Sequence, residues 1–331
     1  MPAQAALDPT PAASEDRAIS HPIAAQPPRR VFVILSFFSI YVIWGSTYLV
    51  IRFAIETIPP LYTAGFRHLI AGSILLAWCF AKRLRPTRAQ IRASFMIGVL
   101  FFLIGHGSLH WAELRVPSGL ASLLVAIEPI IVFLMASFAA RKWRFNAKLL
   151  SGVLLGLAGV GLLTARTAVS SGRGTFIATM AILIGAISWS AGIVYSRRSN
   201  LSGHPLLLSA LSLLWGAVLL ITTGTMVGEA RGFSIHNVTV RSWLALGYLI
   251  IFGSVIAFSA YNWLLEHYSP TLVATHTFVN PIVAVVLGWL FGGEALTFNV
   301  LLAAAMVIGA VVLVDRGTAQ LDAADKPQPS K

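Results

Sequence analysis

Apolar segments long enough to cross a lipid bilayer recur along almost the whole chain. A transmembrane helix needs about 20 apolar residues to cross a hydrocarbon core about 30 Å thick. Ten segments of this kind, joined by short polar loops, predict an all-α polytopic membrane protein with ten transmembrane helices. The predicted helices run over Val31–Ile51, Leu61–Ala81, Ser94–Ala112, Gly119–Ala140, Lys148–Ala165, Thr175–Ser196, Leu206–Val227, Ser242–Leu265, Thr271–Gly292 and Phe298–Val314.

The composition excludes a water-soluble domain. Only 11% of the 331 residues are charged, and the mean hydropathy is +0.80. A soluble domain carries about 25% charged residues, because these cover its water-facing surface. Too few charges are present here to do so. Much of the exterior must therefore face lipid, and the lipid bilayer is a predicted partner.

The basic residues indicate which way the helices run. With both termini placed in the cytoplasm, 17 of the 24 Lys and Arg residues fall in cytoplasmic segments and 6 in outer loops. Because cytoplasmic loops carry an excess of positive charge, we predict a multi-pass protein of the inner or plasma membrane with both termini cytoplasmic. The net charge of +12 is then a topology signal, and nucleic acid is not expected as a partner.

The two halves of the chain repeat one another. Residues at matched spacings are Trp44 with Trp189, Arg52 with Arg197, Pro60 with Pro205, Trp111 with Trp263, Pro129 with Pro281 and Gly159 with Gly309. Each half contains five predicted helices, and because five is odd the second half enters the membrane from the opposite side. Two inverted five-helix repeats are typical of secondary transporters, whose substrate site lies where the repeats meet. A stable bundle without transport activity is the alternative interpretation.

The repeat divides the chain into four parts. The first five-helix repeat is predicted over residues 31–166 and the second over residues 175–316. Residues 1–30 are polar, rich in Ala and Pro and without the apolar core of a signal peptide, which predicts a disordered cytoplasmic tail. Residues 317–331 are predicted to form a short cytoplasmic tail.

Two stretches of the sequence resemble EamA-type members of the drug/metabolite transporter superfamily. They are IWGSTYLVIRFAIETIPPLYTAGFR (Ile43–Arg67) and SPTLVATHTFVNPIVAVVLGWLFGGEALT (Ser269–Thr297). The resemblance extends over residues 31–314 and makes both repeats EamA-like. It implies a ten-helix transporter of the inner or plasma membrane, often an exporter of amino acids or related metabolites. In that family each unit often closes with an acidic residue, which is Glu294 in the second unit but is missing from AARKWRFN (Ala139–Asn146) in the first.

Ionisable residues inside the predicted spans are candidate substrate or proton sites. Placing a charged side chain at the bilayer centre costs about 2.5–3.5 kcal/mol. Such side chains therefore face the bundle interior or a wet cavity. Arg67 suits two-point capture of a carboxylate or phosphate, or else it forms a structural ion pair with Glu128 or Glu113. Glu128 precedes Pro129, and a desolvated carboxyl group there would bind a proton or contact the substrate. Its repeat mate, Asn280, cannot titrate but can donate and accept hydrogen bonds.

Three polar residues share one face of the third predicted helix. His106, His110 and Glu113 are spaced at i, i+4 and i+7. Three interpretations are open: a polar cavity wall, interhelical hydrogen-bonding groups or metal ligands. Ligands on one helix diverge too much to hold one ion unaided, and the HExxH motif is missing. No metal site and no cofactor are therefore predicted.

Further candidates for the lining of a substrate cavity are aromatic or polar residues near helix ends and in the second half. They are Trp44, Tyr48, Tyr195, Tyr261, Asn262 and His276, together with Arg67, Glu128, His106, His110 and Asn280 discussed above. For the aromatic residues the alternative is an interfacial belt at the membrane surface.

The function predicted from these features is secondary transport of a small-molecule substrate. Export of amino acids or similar metabolites is favoured, and coupling to protons stays open. The sequence shows no ATP-binding motif and no nucleophile motif, so an enzyme is not expected. The alternatives are a metal-dependent intramembrane enzyme that uses His106, His110 and Glu113, and a receptor or scaffold that does not transport. The sequence leaves a homodimer open.

Overall fold

The computed structural model describes residues 30–140, 146–170, 172–199, 204–268, 272–273 and 275–324. Within these ranges every regular element is a helix. The apolar helices are α1 (Arg30–Ala54), α2 (Pro60–Ala81), α3 (Arg88–Ala112), α4 (Ser118–Phe138), α5 (Ala147–Ser170), α6 (Gly172–Arg198), α7 (Pro205–Met226), α8 (Val240–Leu264), α9 (His276–Phe291) and α10 (Phe298–Ala324). The predicted tail over residues 1–29 lies outside the described residues.

Eight of the described helices are long and apolar enough to cross a membrane. The apolar part of α5, Ala147–Leu162, and α9 are shorter. The predicted all-α membrane protein is confirmed at this level, and a crossing by all ten helices stays a prediction.

Local sequence signals explain where several helices begin. α3 begins at Arg88, ahead of the predicted Ser94, because Thr87 and Gln90 form a capping box. The Thr87 hydroxyl accepts from the Gln90 N–H at 3.2 Å, and the Gln90 side chain accepts from the Thr87 N–H at 2.8 Å. α2 and α7 each begin with a proline, whose missing N–H is not needed in the first helical turn.

The start of α9 and the end of α10 also differ from the sequence prediction. α9 begins at His276, after a turn at Thr275, whereas the ninth helix was predicted from residue 271, which lies outside the described residues. α10 continues past its predicted end at Val314 to Ala324. The extension contains Ala319, Ala323 and Ala324, and alanine is the strongest helix former, so the helix outlasts its apolar part.

Three of the helices contain π-helical segments, which are rare and often mark functional positions. They are Ser39–Ile43 in α1, Gly98–His106 in α3 and Leu249–Ile256 in α8. The segment in α1 is supported from α9. With its amide nitrogen turned toward α1, Asn280 donates to the carbonyl oxygens of Ile40 and Tyr41 at 2.9 Å each.

The two halves of the chain pack against each other along most of their helices. α2 packs on α7, α4 on α9 and α5 on α10. α1 packs on α8 and α9, α6 packs on α3 and α4, α2 also packs on α8, and α7 also packs on α3. The interior is therefore built jointly by both halves.

Glycine allows α5 and α10 to approach closely. A Cβ atom added at Gly152 would lie 2.8 Å from the Ala310 carbonyl oxygen, which is closer than real contacts allow. Small residues permit such backbone approach in membrane helices, where packing replaces the hydrophobic effect. Large apolar side chains instead cover the exterior, as at Phe138 and Phe298, which are 72% and 76% exposed. This distribution fits a surface that faces lipid.

Candidate functional site

A cluster of polar side chains lies inside the bundle, where a membrane protein normally places only apolar ones. Its members, which we call the buried polar cluster, are Arg67 and His68 on α2, His106 and His110 on α3, and Glu113 directly after α3. Arg67 is 3% exposed and Glu113 is 2% exposed, while His68 and His110 are fully buried. Such groups are retained inside membranes at substrate or proton sites.

The histidines of the cluster are linked in a row. Nδ1 of His106 lies 2.9 Å from Nε2 of His68, and Nδ1 of His110 lies 2.8 Å from the His106 carbonyl oxygen. The His106 ring stacks on Trp189 of α6, with ring centroids 5.0 Å apart. The predicted face of α3 is therefore joined to α2 through His68, which the sequence analysis had not singled out.

Arg67 is not held by a carboxylate in the part of the chain that the structure describes. Its Nε donates to the hydroxyl oxygen of Ser254 at 2.8 Å, in the π-helical segment of α8. The described ion pairs join Arg52 to Glu294 and Arg241 to Glu56, and neither includes Arg67. The structural ion pair considered as an alternative is thus not formed with a described residue.

The Arg67 guanidinium packs against Gly253, where no side chain is present. A Cβ atom added at Gly253 would lie 3.3 Å from a terminal nitrogen of Arg67. The described hydrogen bonds of this guanidinium use Nε only. Its two terminal amino groups thus have no hydrogen-bond partner among the described residues.

Four buried polar atoms of the cluster have no hydrogen-bond partner among the described residues. They are both carboxylate oxygens of Glu113, Nε2 of His110 and Nδ1 of His68. Most buried polar atoms in proteins are paired, and an exception calls for a functional explanation. Four of them in one cluster mark it as the place where a ligand or a proton is expected.

An aromatic cluster lies beside the buried polar cluster. Trp44 of α1 contacts the rings of Phe258, Tyr261 and His276, at centroid distances of 5.5, 5.3 and 5.2 Å. The Trp44 indole N–H also donates to the Gly253 carbonyl oxygen at 3.0 Å. The sequence-predicted Trp44, Tyr261 and His276 are therefore brought together.

The two clusters meet at one π-helical turn. Trp44 is bonded to Gly253, and Arg67 is bonded to the next residue, Ser254. One piece of α8 backbone thus positions both an aromatic ring and a guanidinium, which together suit a ligand with an apolar body and an anionic group.

Glu128 and Tyr48 lie on another side of the same interior. α4 is interrupted by a turn at residues 126–127, directly before the partly exposed Glu128, whose carbonyl accepts weakly from Ser190 at 3.4 Å. Tyr48 lies close enough to interact electrostatically with both Glu128 and Glu113. These residues therefore face a common region.

Three other predicted site residues have local roles. Asn262 donates to the Phe258 carbonyl of its own helix at 2.8 Å, and Asn280 supports the π-helical segment of α1. The Tyr195 carbonyl accepts from Ser199 near the end of α6. No described hydrogen bond or ring contact joins Tyr195 to either cluster.

Glu294 holds one end of the bundle together. Its Oε1 accepts from Arg52 at 2.8 Å and from the N–H and hydroxyl of Ser118 at 2.6 and 2.7 Å, and its Oε2 accepts from the Gly119 N–H at 2.9 Å. A carboxylate is favoured there by the positive N-terminal end of α4. We call this arrangement the Glu294 latch. It joins α1, α4 and the segment after α9.

A second carboxylate caps α2. Glu229 accepts from the N–H groups of Leu61 and Tyr62 at 3.1 and 3.0 Å. Burial raises the pKa of the Glu229 carboxyl group, and the two backbone bonds oppose that rise. The cap fixes the start of the helix that carries Arg67.

The sequence analysis considered metal ligation by His106, His110 and Glu113 and disfavoured it. The described side chains form no group of three or more His, Cys, Asp or Glu residues arranged to hold a metal ion. The absence of a metal site stays a prediction.

Comparisons with known proteins agree on one family. The profile of the EamA-like transporter family matches residues 31–165 and 176–315. The uncharacterized inner membrane transporter YedA of Escherichia coli (strain K12) is 38% identical over 283 residues, covering 85% of this chain and 89% of the relative. The uncharacterized transporter YvbV of Bacillus subtilis (strain 168) is 26% identical over 302 residues, covering 87% and 92%.

Two further comparisons match most of the chain. Protein PagO of Salmonella typhimurium is 27% identical over 290 residues, which cover 85% of this chain and 92% of PagO. A solved crystal structure superposes with a TM-score of 0.60 at 20% identity, over 85% of this chain and 96% of the other, which shows a likeness in fold. With matches over both halves and 38% identity to a full-length relative, this chain belongs to the EamA-like transporter family.

Proposed function

We propose that the protein is a secondary transporter that exports amino acids or similar small amphipathic metabolites. The family and the names of its relatives support a multi-pass membrane transporter. The single observation that carries the substrate class is Arg67, a buried guanidinium whose terminal amino groups have no described partner.

The packing of the helices supports an arrangement as two equivalent repeats over residues 31–166 and 175–316. Exchanging α1–α5 with α6–α10 converts the contacts between the halves into other observed contacts, apart from those of α5 with α6 and of α4 with α10. α1 on α8 becomes α6 on α3, α1 on α9 becomes α6 on α4, and α2 on α8 becomes α7 on α3. The pairs α2–α7, α4–α9 and α5–α10 map onto themselves.

The tryptophans at matched sequence positions support the same relation. Trp44 in α1 bonds to the π-helical segment of α8. Its repeat mate Trp189 in α6 contacts the π-helical segment of α3, where it stacks on Phe101 with ring centroids 4.3 Å apart. Two repeats of five crossings would run in opposite directions and provide two alternately accessible faces. This proposal requires α5 and α9 to cross the membrane as well.

The chemistry of the site fits a zwitterionic or anionic substrate. A planar guanidinium binds a carboxylate through two parallel hydrogen bonds, which an ammonium cannot reproduce. The aromatic cluster around Trp44 would contact the apolar part of the same molecule. Glu128, partly exposed at the interruption of α4, would face an amino group.

The test is transport by the purified protein in liposomes. Radiolabelled amino acids are screened for exchange across the membrane, and the best substrate is then used to compare Arg67→Lys with Arg115→Lys, a change at an exposed arginine. Losing one charge-assisted hydrogen bond of about 1.5–3 kcal/mol should weaken apparent affinity about ten- to a hundredfold in Arg67→Lys only. Equal transport by both variants would refute the binding role, and no exchange of any amino acid by the wild type would refute the substrate class.

A further inference from the structure

We propose that Glu113 is the proton-carrying group of this transporter. The proposal deepens the proposed function and rests on it, since it names the coupling ion and the residue that binds it. The proton would form an O–H bond with one carboxylate oxygen of Glu113 and would leave to water when the site opens.

The burial of Glu113 carries the first step. The side chain is 2% exposed, and neither oxygen has a hydrogen-bond partner among the described residues. An ionised carboxylate in that position has lost its water and gained no donor, which strongly disfavours the charged form. A proton removes the charge and is small enough to bind without a cavity.

The charged and titratable groups around Glu113 come from several helices. They are Tyr48 and Arg52 on α1, Arg67 on α2, His110 on α3 and Glu294 after α9. Neither arginine forms an ion pair with Glu113, and Glu294 repels its anionic form. Arg52 and Arg67, both at a distance, thus favour the ionised form of Glu113. Burial and the Glu294 carboxylate disfavour it.

That balance makes the protonation state depend on the substrate. A substrate carboxylate bound by Arg67 would offset the positive charge that now acts on Glu113, and the proton would then be held more firmly. Release of the substrate would restore that charge and weaken the hold on the proton. Substrate and proton would therefore bind and be carried together, because both sense the Arg67 guanidinium, and export would follow the outward gradient of the substrate.

The histidine row ends one helical turn before Glu113. His110 lies in the last turn of α3, three residues before Glu113, and its Nε2 has no described partner. His110, His106 and His68 follow one another through the contacts given above.

Infrared spectroscopy of the purified protein in lipid tests the proposal without a substrate. A protonated carboxyl group without a hydrogen bond gives a carbonyl absorption band that is separated from the bands of ionised carboxylates. We expect such a band in the wild type, falling as the pH is raised from mildly acidic to mildly alkaline. It should be absent in Glu113→Gln and retained in Glu56→Gln, a change at an exposed glutamate. A wild-type spectrum without this band, or an unchanged band in Glu113→Gln, would overturn the proposal.

A second variant guards against misfolding of Glu113→Gln. Glu113→Asp keeps an ionisable group and should shift the band instead of removing it, and a band unaffected by Glu113→Asp would count against the assignment.

The transport readout uses the amino acid found in the liposome screen. Glu113→Gln should lose the accumulation of substrate that a pH gradient drives, whereas Glu56→Gln, a change at an exposed glutamate, should keep it at the wild-type level. Accumulation at the wild-type level in Glu113→Gln would overturn the proposal. Because the infrared measurement needs no substrate, failure of the proton site and failure of the proposed function are distinguishable.

Discussion

Arg52 and Glu294 are 242 residues apart in the sequence and are joined by an ion pair of 2.8 Å. The Glu294 side chain is only 9% exposed, and the same carboxylate holds the first turn of α4 through Ser118 and Gly119. One side chain therefore fixes the relative positions of two helix ends that the sequence separates widely.

Replacing this carboxylate should destabilise the protein. Glu294→Gln keeps the size of the side chain but loses the charge that attracts Arg52 and the α4 N-terminus. Since a hydrogen bond to a charged group contributes about 1.5–3 kcal/mol, a clear drop in the melting temperature in detergent is expected. Glu56→Gln is the control, because its partner Arg241 is 53% exposed and such surface pairs contribute about 0–1 kcal/mol. Equal melting temperatures would contradict the prediction.

Two glycines of α5 provide a matched test of the α5–α10 contact. Gly152→Ala places a methyl group against the Ala310 carbonyl oxygen, and it should destabilise the protein by about 1–3 kcal/mol, as overpacking does. Around Gly161 there is no atom within 4 Å of an added Cβ, so Gly161→Ala should be neutral or gain about 0.5–1 kcal/mol from helix propensity. Thermal unfolding of both variants in one detergent is the measurement. A stable Gly152→Ala would mean that the two helices can separate without penalty.

Removing the Arg67 side chain should leave a folded protein. Among the described residues Arg67 bonds to the Ser254 hydroxyl group and forms no ion pair, so Arg67→Ala breaks no described ion pair. We expect monodisperse protein with near-normal yield, measured by size-exclusion chromatography, together with loss of substrate-induced thermal stabilisation. A low yield that is rescued by also neutralising Glu128 would instead indicate a structural ion pair.

The predicted topology can be tested by reporter fusions. With both termini cytoplasmic, fusions after Arg92 and Lys148 should report the cytoplasm, and a fusion after Arg173 should report the opposite side. The expectation rests on the bias of basic residues toward cytoplasmic loops. Alkaline-phosphatase activity after Arg92 or Lys148 would show that the orientation is wrong.

The sequence was sufficient to predict the eight long apolar helices because an apolar run of about 20 residues has few stable alternatives. Backbone polar groups in lipid must be satisfied internally, which a helix achieves. The early start of α3 also has a local signal in Thr87 and Gln90, a capping box that could have placed the helix end correctly. Arg67 was identified because a charge inside such a run is rare.

The partners of the site residues could not be read from the sequence. Arg67 and Ser254 are 187 residues apart, and Glu294 and Ser118 are 176 apart. Neither serine differs by its local pattern from others that bond to their own helix. His68 did carry a signal, since it is a polar residue inside an apolar helix next to Arg67. The π-helical segments have no residue pattern that distinguishes them from neighbouring α-helix.

The π-helical segment of α8 gives the site a mechanical property. A π-helical turn contains one more residue than an α-helical turn, and each residue of an α-helix turns the chain by about 100°. If the extra residue moved along the helix, Gly253 and Ser254 would rotate together, carrying away the supports of Trp44 and Arg67 in a single motion. The ring and the guanidinium would then lose their ligand geometry at the same moment, so that a small local change of backbone pitch could end binding completely.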